Sequence, residues 1–271
     1  MPKTPDAKLT VRDLLRMREK GEPIIALTAY DALMARLADE AGTQLILVGD
    51  SLGMTLLGYA TTIPVTLEQS LHHTAAVVRG ARRALVIGDM PFMTYQITPE
   101  EALRNAARYL QEAGADGVKL EGGQNMAPTV ARLVAAGVPV LGHIGLLPQH
   151  VAATGGYRVH GRTAVEAEAL EADAHALEEA GAFAVVLESM PTALAERITG
   201  QLRIPTIGIG AGPGCAGQIQ VVYDLLGMFE RFVPKHTKAY ASLAGEIRRA
   251  LTAYREDVSA RKFPGPDQSF S

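Results

Sequence analysis

Short apolar runs rich in β-branched residues recur along this chain, separated by longer segments with helical periodicity. The runs are PIIALTA (23–29), QLILVGDS (44–51), ALVIGDM (84–90), GVKLEGG (117–123), VPVLGHIG (138–145), AFAVVLES (182–189), IPTIGIGAG (204–212) and, less regular, GQIQVVYD (217–224). Most are continuously apolar instead of alternating, which predicts parallel strands covered on the outside by helices. The intervening segments carry helix punctuation. Thr66, Thr98 and Thr163 each stand three residues before Gln69, Glu101 and Glu166, the spacing of a capping box, and Pro99 suits a first helical position. Gly114, Gly137 and Gly181 follow helical segments where a left-handed cap is expected.

Eight strands alternating with helices predict a single α/β domain, a (β/α)₈ TIM barrel over residues 1–271. A doubly wound open sheet is the alternative, but the first strand is not followed by the G-x-G-x-x-G turn of its dinucleotide-binding form. Residues 1–22 add an N-terminal helix, from Thr10 to Lys20, expected to cap the bottom of the barrel. The polar tail ARKFPGPDQSFS (260–271) is expected to be flexible.

Composition narrows the partners more than the fold. The net charge is −3, from 26 Lys+Arg against 29 Asp+Glu, which argues against nucleic acid or an anionic membrane as a partner. Hydrophobic residues form 48% of the chain, enough for a large core, yet no run approaches the ~18 apolar residues of a membrane span. The first residues lack an apolar signal segment, and a single cysteine, Cys215, rules out an internal disulfide framework. A cytoplasmic protein acting on small molecules is the expectation.

A barrel places its chemistry where its strands end. Here the second strand ends in Asp50-Ser51, the third in Asp89, the fourth in Lys119 and Glu121, the fifth in His143 and the sixth in Glu188. One acidic residue after a strand is an ordinary turn former; five successive polar strand ends are not. Lys119 and Glu121 are two apart, so they share a face of the strand. Converging carboxylates repel unless a cation or a shared proton offsets them. An oxygen-rich set without a His/Cys ligand cluster favours Mg²⁺ over zinc. Such an ion can polarise a carbonyl and stabilise an enolate. Glu188 is then the natural candidate base.

Other residues carry less. His143 suits either a contact with substrate or a core histidine. His72 and His73 have no partner at ligand spacing and suit packing, as does Cys215. Tyr30 and Asp31 fit a pocket mouth or a plain turn and helix cap. The GIGAG run suits a close backbone approach to a ligand, and the acidic helix 166–179 a solvated face.

VGDSLGM (48–54), TTIPVT (61–66), GDMPF (88–92), VKLEGG (118–123), GHIGLLPQ (142–149) and GIGAGPGCAGQIQV (208–221) closely resemble the ketopantoate hydroxymethyltransferases, also called 3-methyl-2-oxobutanoate hydroxymethyltransferases. The similarity covers the chain from about Thr10 to about Ser259. It implies a TIM barrel of the phosphoenolpyruvate/pyruvate type, assembled in bacteria as a homodecamer of two pentameric rings. It also implies transfer of a hydroxymethyl group from 5,10-methylenetetrahydrofolate to 3-methyl-2-oxobutanoate, on the way to pantothenate. Carried over by motif, the Mg²⁺ ligands are Asp50, Asp89 and Glu121. The keto-acid contacts fall on Asp50, Ser51, Asp89 and Lys119, and the proton acceptor on Glu188. Ala60, in GYATTIPVT, departs from the Asp common at that position, which touches a loop contact and none of the principal groups. The competing activity is an Mg²⁺-dependent C–C lyase or phosphonomutase of the isocitrate lyase type. The lyases carry a reactive cysteine in a KKCGH-like loop, which this chain lacks. A catalytically silent barrel would have lost a ligand or Glu188, and neither is lost.

Overall fold

The computed structural model describes residues 7–156, 158–230 and 233–270. The strands are β1 (Ile24–Thr28), β2 (Leu45–Val48), β3 (Leu85–Asp89), β4 (Gly117–Lys119), β5 (Val140–Gly145), β6 (Ala184–Glu188), β7 (Thr206–Ile209) and β8 (Gly217–Gln220). All pair in parallel and in chain order, and β1 pairs with β8 to close the barrel. The helices are α1 (Val11–Lys20), α2 (Ala32–Glu40), α3 (Leu52–Thr55), α4 (Leu67–Gly80), α5 (Pro99–Gln111), α6 (Ala127–Ala135), α7 (Val151–Thr154), α8 (Ala164–Glu179), α9 (Thr192–Gln201), α10 (Val222–Leu225) and α11 (Leu243–Ser259). The chain forms two compact units, one running to Val221 and one from Val222 to Ser271.

Side-chain alternation sorts each strand into two layers. Outward residues such as Val118, Val140, Val185 and Leu187 meet Ala106, Leu133, Leu177 and Ile198 from the helices. Inward residues Leu45, Leu47, Leu85, Ile87, Leu141, Val186 and Ile207 fill the barrel interior. Leu14 of α1, 1% exposed, joins this inner cluster, with Val11 and Met17 packed against it. The N-terminal helix therefore packs its apolar face against the barrel interior. The inward series then continues upward into polar residues: Leu85, Ile87, Asp89 on β3; Lys119 on β4 and Glu121 beyond it; Leu141, His143 on β5; Val186, Glu188 on β6.

The helix starts are partly as expected. Thr66 and Gln69 form the full reciprocal box. Thr98 accepts the Glu101 N–H, with Pro99 at the first helical position, which is half of the expected box. Glu166 departs from the pattern: its carboxylate accepts the N–H groups of Gly161 and Arg162, while Thr163 accepts the Glu166 N–H. Gly114, Gly137 and Gly181 sit at φ +74°, +90° and +93°, the left-handed exits that glycine permits.

The last part of the barrel differs from the sequence expectation. No helix lies between β7 and β8; residues 210–216 make the return alone. A parallel crossover usually needs a dozen residues or more. Seven extended residues reach about 23 Å at ~3.3 Å each, more than the height of a four-residue strand. The eighth strand also stops at Gln220 instead of Asp224, because the chain turns into α10 at Val222.

In the second unit, α11 has no buried residue, and Ile247, Leu251, Tyr254 and Val258 form an exposed apolar stripe at helical spacing. After Ser259 the chain makes a single exposed 3₁₀ turn, Pro266–Gln268. Asp224 in α10 is buried, with Oδ1 lacking a hydrogen-bond partner, and burial pushes its carboxyl up to about 6. The folded state therefore binds its proton more tightly than the unfolded one, so stability falls as pH rises from ~4 through about 6. Asp224→Asn should raise stability by roughly 1–2 kcal/mol at pH 8 and leave it unchanged near pH 3.5, where the carboxyl is protonated in both states. Thermal melts across that range would show it; an equal effect at both pH values would assign the change to packing instead.

Candidate active site

Register sets up the central ion pair. Asp89 and Lys119 are direct neighbours on adjacent parallel strands. Lys119 Nζ donates to both Asp89 oxygens, at 2.8 and 3.0 Å, and stands 3.6 Å from Glu121 Oε1. Asp89, Lys119, Glu121 and His143 are each at most 3% exposed, and Asp50 is 4% exposed. Asp50 enters through its backbone N–H, which donates to Asp89 Oδ2 at 3.1 Å. Ser51, the next residue, shares a hydrogen bond with the Tyr30 hydroxyl at 2.9 Å.

His143 stands between two acids. Its Nε2 lies 3.1 Å from Glu188 Oε2 and its Nδ1 3.5 Å from Glu121 Oε1, both as ion pairs whose angles fall short of hydrogen bonds. Glu188 is positioned by its strand, and the fit there is tight. Gly145 is its register partner at φ +96°, and a Cβ on that glycine would collide with the Glu188 carbonyl oxygen. Only glycine serves at that position.

Burial and charge set the protonation of the cluster. Burial among Asp89 and Glu121 pushes Asp50 up to about 8, against the pull of Lys119 and Gln149. Burial likewise raises Asp89, with Lys119 opposing it. Burial works against Lys119 too, yet the surrounding carboxylates overrule it and hold the ammonium firmly protonated. For His143, burial and the Lys119 charge press downward, but Glu121 and Glu188 hold the imidazolium up at about 9. Glu121 resists its own burial and stays below the ordinary value because Lys119 and His143 face it. Two cations thus balance Asp89 and Glu121, while Asp50 retains a proton near neutral pH.

The oxygen-rich donor set suits a hard cation, and one of its atoms has only ion-pair contacts, with Lys119 and His143. Glu121 Oε1 is buried without a hydrogen-bond partner. No three His, Cys, Asp or Glu side chains among the described residues already stand at metal-ligand spacing. Lys119 occupies both Asp89 oxygens, and the Gln149 amide donates to Asp50 Oδ2 at 3.0 Å. Mg²⁺ needs only one or two protein carboxylates, the remainder being water and substrate, so the residues fit it without a preformed cage.

The family model for ketopantoate hydroxymethyltransferase matches residues 8–266. The chain belongs to this family. It is an enzyme, a hydroxymethyltransferase. Among its relatives, the 3-methyl-2-oxobutanoate hydroxymethyltransferase of Chloroflexus aurantiacus is 59% identical over 97% of this chain and 92% of the relative. That of Syntrophus aciditrophicus is 55% identical, over 97% of each. Solved barrels share the fold at much lower identity. A 2,3-dimethylmalate lyase of the PEP mutase/isocitrate lyase superfamily aligns with TM-score 0.62 and 18% identity, over 97% of this chain and 92% of that one. A phosphonopyruvate hydrolase complex with oxalate and Mg²⁺ aligns with TM-score 0.59 and 17% identity, over 94% of this chain and 87% of that one.

In this hydroxymethyltransferase the strand-end residues Asp50, Asp89, Lys119, Glu121, His143 and Glu188 form one connected cluster, with His143 placed between Glu121 and Glu188, while Ser51 contacts Tyr30. The other candidates take structural places. Asp31 caps α2 through the Met34 N–H, and His73 contacts the Tyr30 carbonyl oxygen at 2.7 Å, while His72 is exposed. Tyr30, fully buried, is more than a turn residue because its hydroxyl meets Ser51. Ala60 is exposed in the loop between α3 and α4. Burial raises the Cys215 thiol, in keeping with a packing role. Two site residues escaped notice from sequence: Gln149 and Tyr95, both buried and hydrogen-bonded to each other at 2.7 Å. Gln149 closes the GHIGLLPQ motif, which was the available signal.

Proposed function

We propose that the enzyme transfers a hydroxymethyl group from 5,10-methylenetetrahydrofolate to 3-methyl-2-oxobutanoate, forming 2-dehydropantoate for pantothenate synthesis. The observation that carries the reading is the single buried cluster in which Lys119 bridges the acids and His143 links them to Glu188. Asp50, Asp89 and Glu121 would hold Mg²⁺. When bound, the ion supplies Lewis-acid stabilisation of negative charge developing on the keto oxygen.

The chain's own groups do the remainder. Ser51, pinned by Tyr30, and Lys119 would hold the substrate carboxylate. Glu188 would accept the proton from C3, and His143 beside it would keep its carboxylate aimed. The electron pair left on C3 would form the new carbon–carbon bond to the one-carbon unit of the folate. Both bonds from that carbon to the folate nitrogens would break, and water would supply the hydroxyl. The C3 proton and the second water proton would go to those nitrogens, releasing tetrahydrofolate. The dry cluster strengthens each of these electrostatic contacts.

We infer further that the enzyme is cytoplasmic and assembles as a homodecamer of two pentameric rings. The exposed apolar stripe on α11 supports assembly, since such stripes favour cover. No helix among the described residues is long and apolar enough to cross a membrane. Light scattering would report the assembly size.

The function is tested by proton NMR of 3-methyl-2-oxobutanoate with methylenetetrahydrofolate and Mg²⁺, with and without a chelator. Formation of 2-dehydropantoate that the chelator abolishes is the expected result. Exchange of the C3 proton in heavy water without product would keep the proton abstraction and remove the folate as donor. Neither product nor exchange would overturn the reading.

A further inference from the structure

Gln149 sits in the 3₁₀ turn Pro148–His150 after β5 and is 2% exposed, an unusual place for a long amide. Every hydrogen-bonding position of that amide is used. Its Nε2 donates to Asp50 Oδ2 at 3.0 Å and to the Met90 carbonyl at 3.0 Å. Its Oε1 accepts from the Tyr95 hydroxyl at 2.7 Å and from Gln96 Nε2 at 3.2 Å. The Gln149 backbone N–H donates to Glu121 Oε2 at 3.1 Å. One residue after β5 therefore reaches Asp50 after β2, Met90 after β3 and Glu121 after β4.

The amide has only one workable orientation. Turned over, its oxygen would face the Met90 carbonyl, and its NH₂ would face the Gln96 NH₂. Tyr95 locks the choice. Its buried hydroxyl donates to Gln149 Oε1 at 2.7 Å, the shortest contact that the amide makes. The same hydroxyl accepts the Glu121 N–H at 3.1 Å.

These contacts also divide the carboxylate oxygens. Gln149 takes one oxygen of Asp50 and one of Glu121, and leaves Glu121 Oε1 buried without a hydrogen-bond partner. We propose that Gln149 is a positioning residue for a divalent cation: its side-chain amide, locked by the Tyr95 hydroxyl, holds one oxygen of Asp50 and so decides which oxygen of Asp50 remains to bind the ion, while its backbone N–H fixes Glu121 through Oε2. The inference rests on the reading of this cluster as a Mg²⁺ site.

The experiment measures Mn²⁺ binding to the full-length enzyme without substrate, by the electron paramagnetic resonance signal of the free ion. Wild type is compared with Gln149→Met, Tyr95→Phe and the double variant. Gln149→Met keeps the length of the side chain and removes its four hydrogen bonds; Tyr95→Phe removes only a hydroxyl. Partners that hold a metal ligand in place are typically worth 10–100-fold in affinity. Gln149→Met should weaken Mn²⁺ by about that factor, and Tyr95→Phe by several-fold. The double variant should bind no more weakly than Gln149→Met, because both substitutions act through one amide. The Mg²⁺ concentration giving half-maximal rate should rise in the same proportion. Unchanged Mn²⁺ affinity in both single variants, or fully additive losses in the double, would overturn the proposal. If Gln149→Met fails to fold, Tyr95→Phe alone decides. A wild type that binds no Mn²⁺ would instead overturn the metal reading beneath it.

Discussion

Glu188→Gln should lower kcat by about 10²–10⁴-fold, the range that a positioned general base contributes, with little change in KM for the keto acid. The substitution keeps shape and strand position but leaves an amide that cannot take up a proton. Glu188 lies at the end of β6 and is only partly buried, so the fold should tolerate the change. Exchange of the substrate C3 proton in heavy water, measured without folate, should fall by the same factor as turnover. Proton removal would then be the step that was lost. Wild-type exchange in this variant would place the base elsewhere, and His143, 3.1 Å away, would be the next group to test.

Lys119→Met carries the largest expected effect on stability. Lys119 is 3% exposed and pairs with Asp89 through both of that residue's oxygens. Removing one partner of a buried pair leaves the other charge dry and uncompensated, at a cost of about 3–5 kcal/mol. Burial keeps a proton on Asp50 up to about 8, so the loss of Lys119 takes the ammonium away from Asp89 and leaves His143 facing Glu121. A divalent cation would restore positive charge. Mg²⁺ should therefore stabilise Lys119→Met more than it stabilises wild type, as read from denaturant midpoints with and without chelator. Keto-acid binding should not recover, because the ion does not replace the ammonium at the substrate carboxylate. A variant as stable as wild type in chelator would mean that the acids are already neutralised by protons.

Much of this site was legible because a strand has a period of two. Lys119 and Glu121 share a face by spacing alone, and Asp89, His143 and Glu188 each extend an inward apolar series whose lower members are visible in the sequence. Gln149 and Tyr95 were not legible in that way. They are uncharged, they lie in loops, and their importance comes from contacts with residues 99 and 54 positions away in the chain. The barrel was legible from alternation of strands and helices, but not its seam. Residues 210–216 look like a strand exit followed by a turn. Nothing local says that this short loop replaces a helix, since that depends on how short β7 and β8 are.

The polar cluster has a consequence for how the chain is made. Its members run from Asp50 to Glu188, so no early fragment of the nascent polypeptide contains all of its charges. Until β6 is in place, His143 lacks one of its two acids, and until β4 is in place Asp89 lacks its ammonium. Drying those groups ahead of their partners is costly, so the upper interior should stay hydrated while the apolar floor gathers. The charges then act as a late checkpoint on folding: the ceiling of the barrel closes only over a correctly registered set of strands.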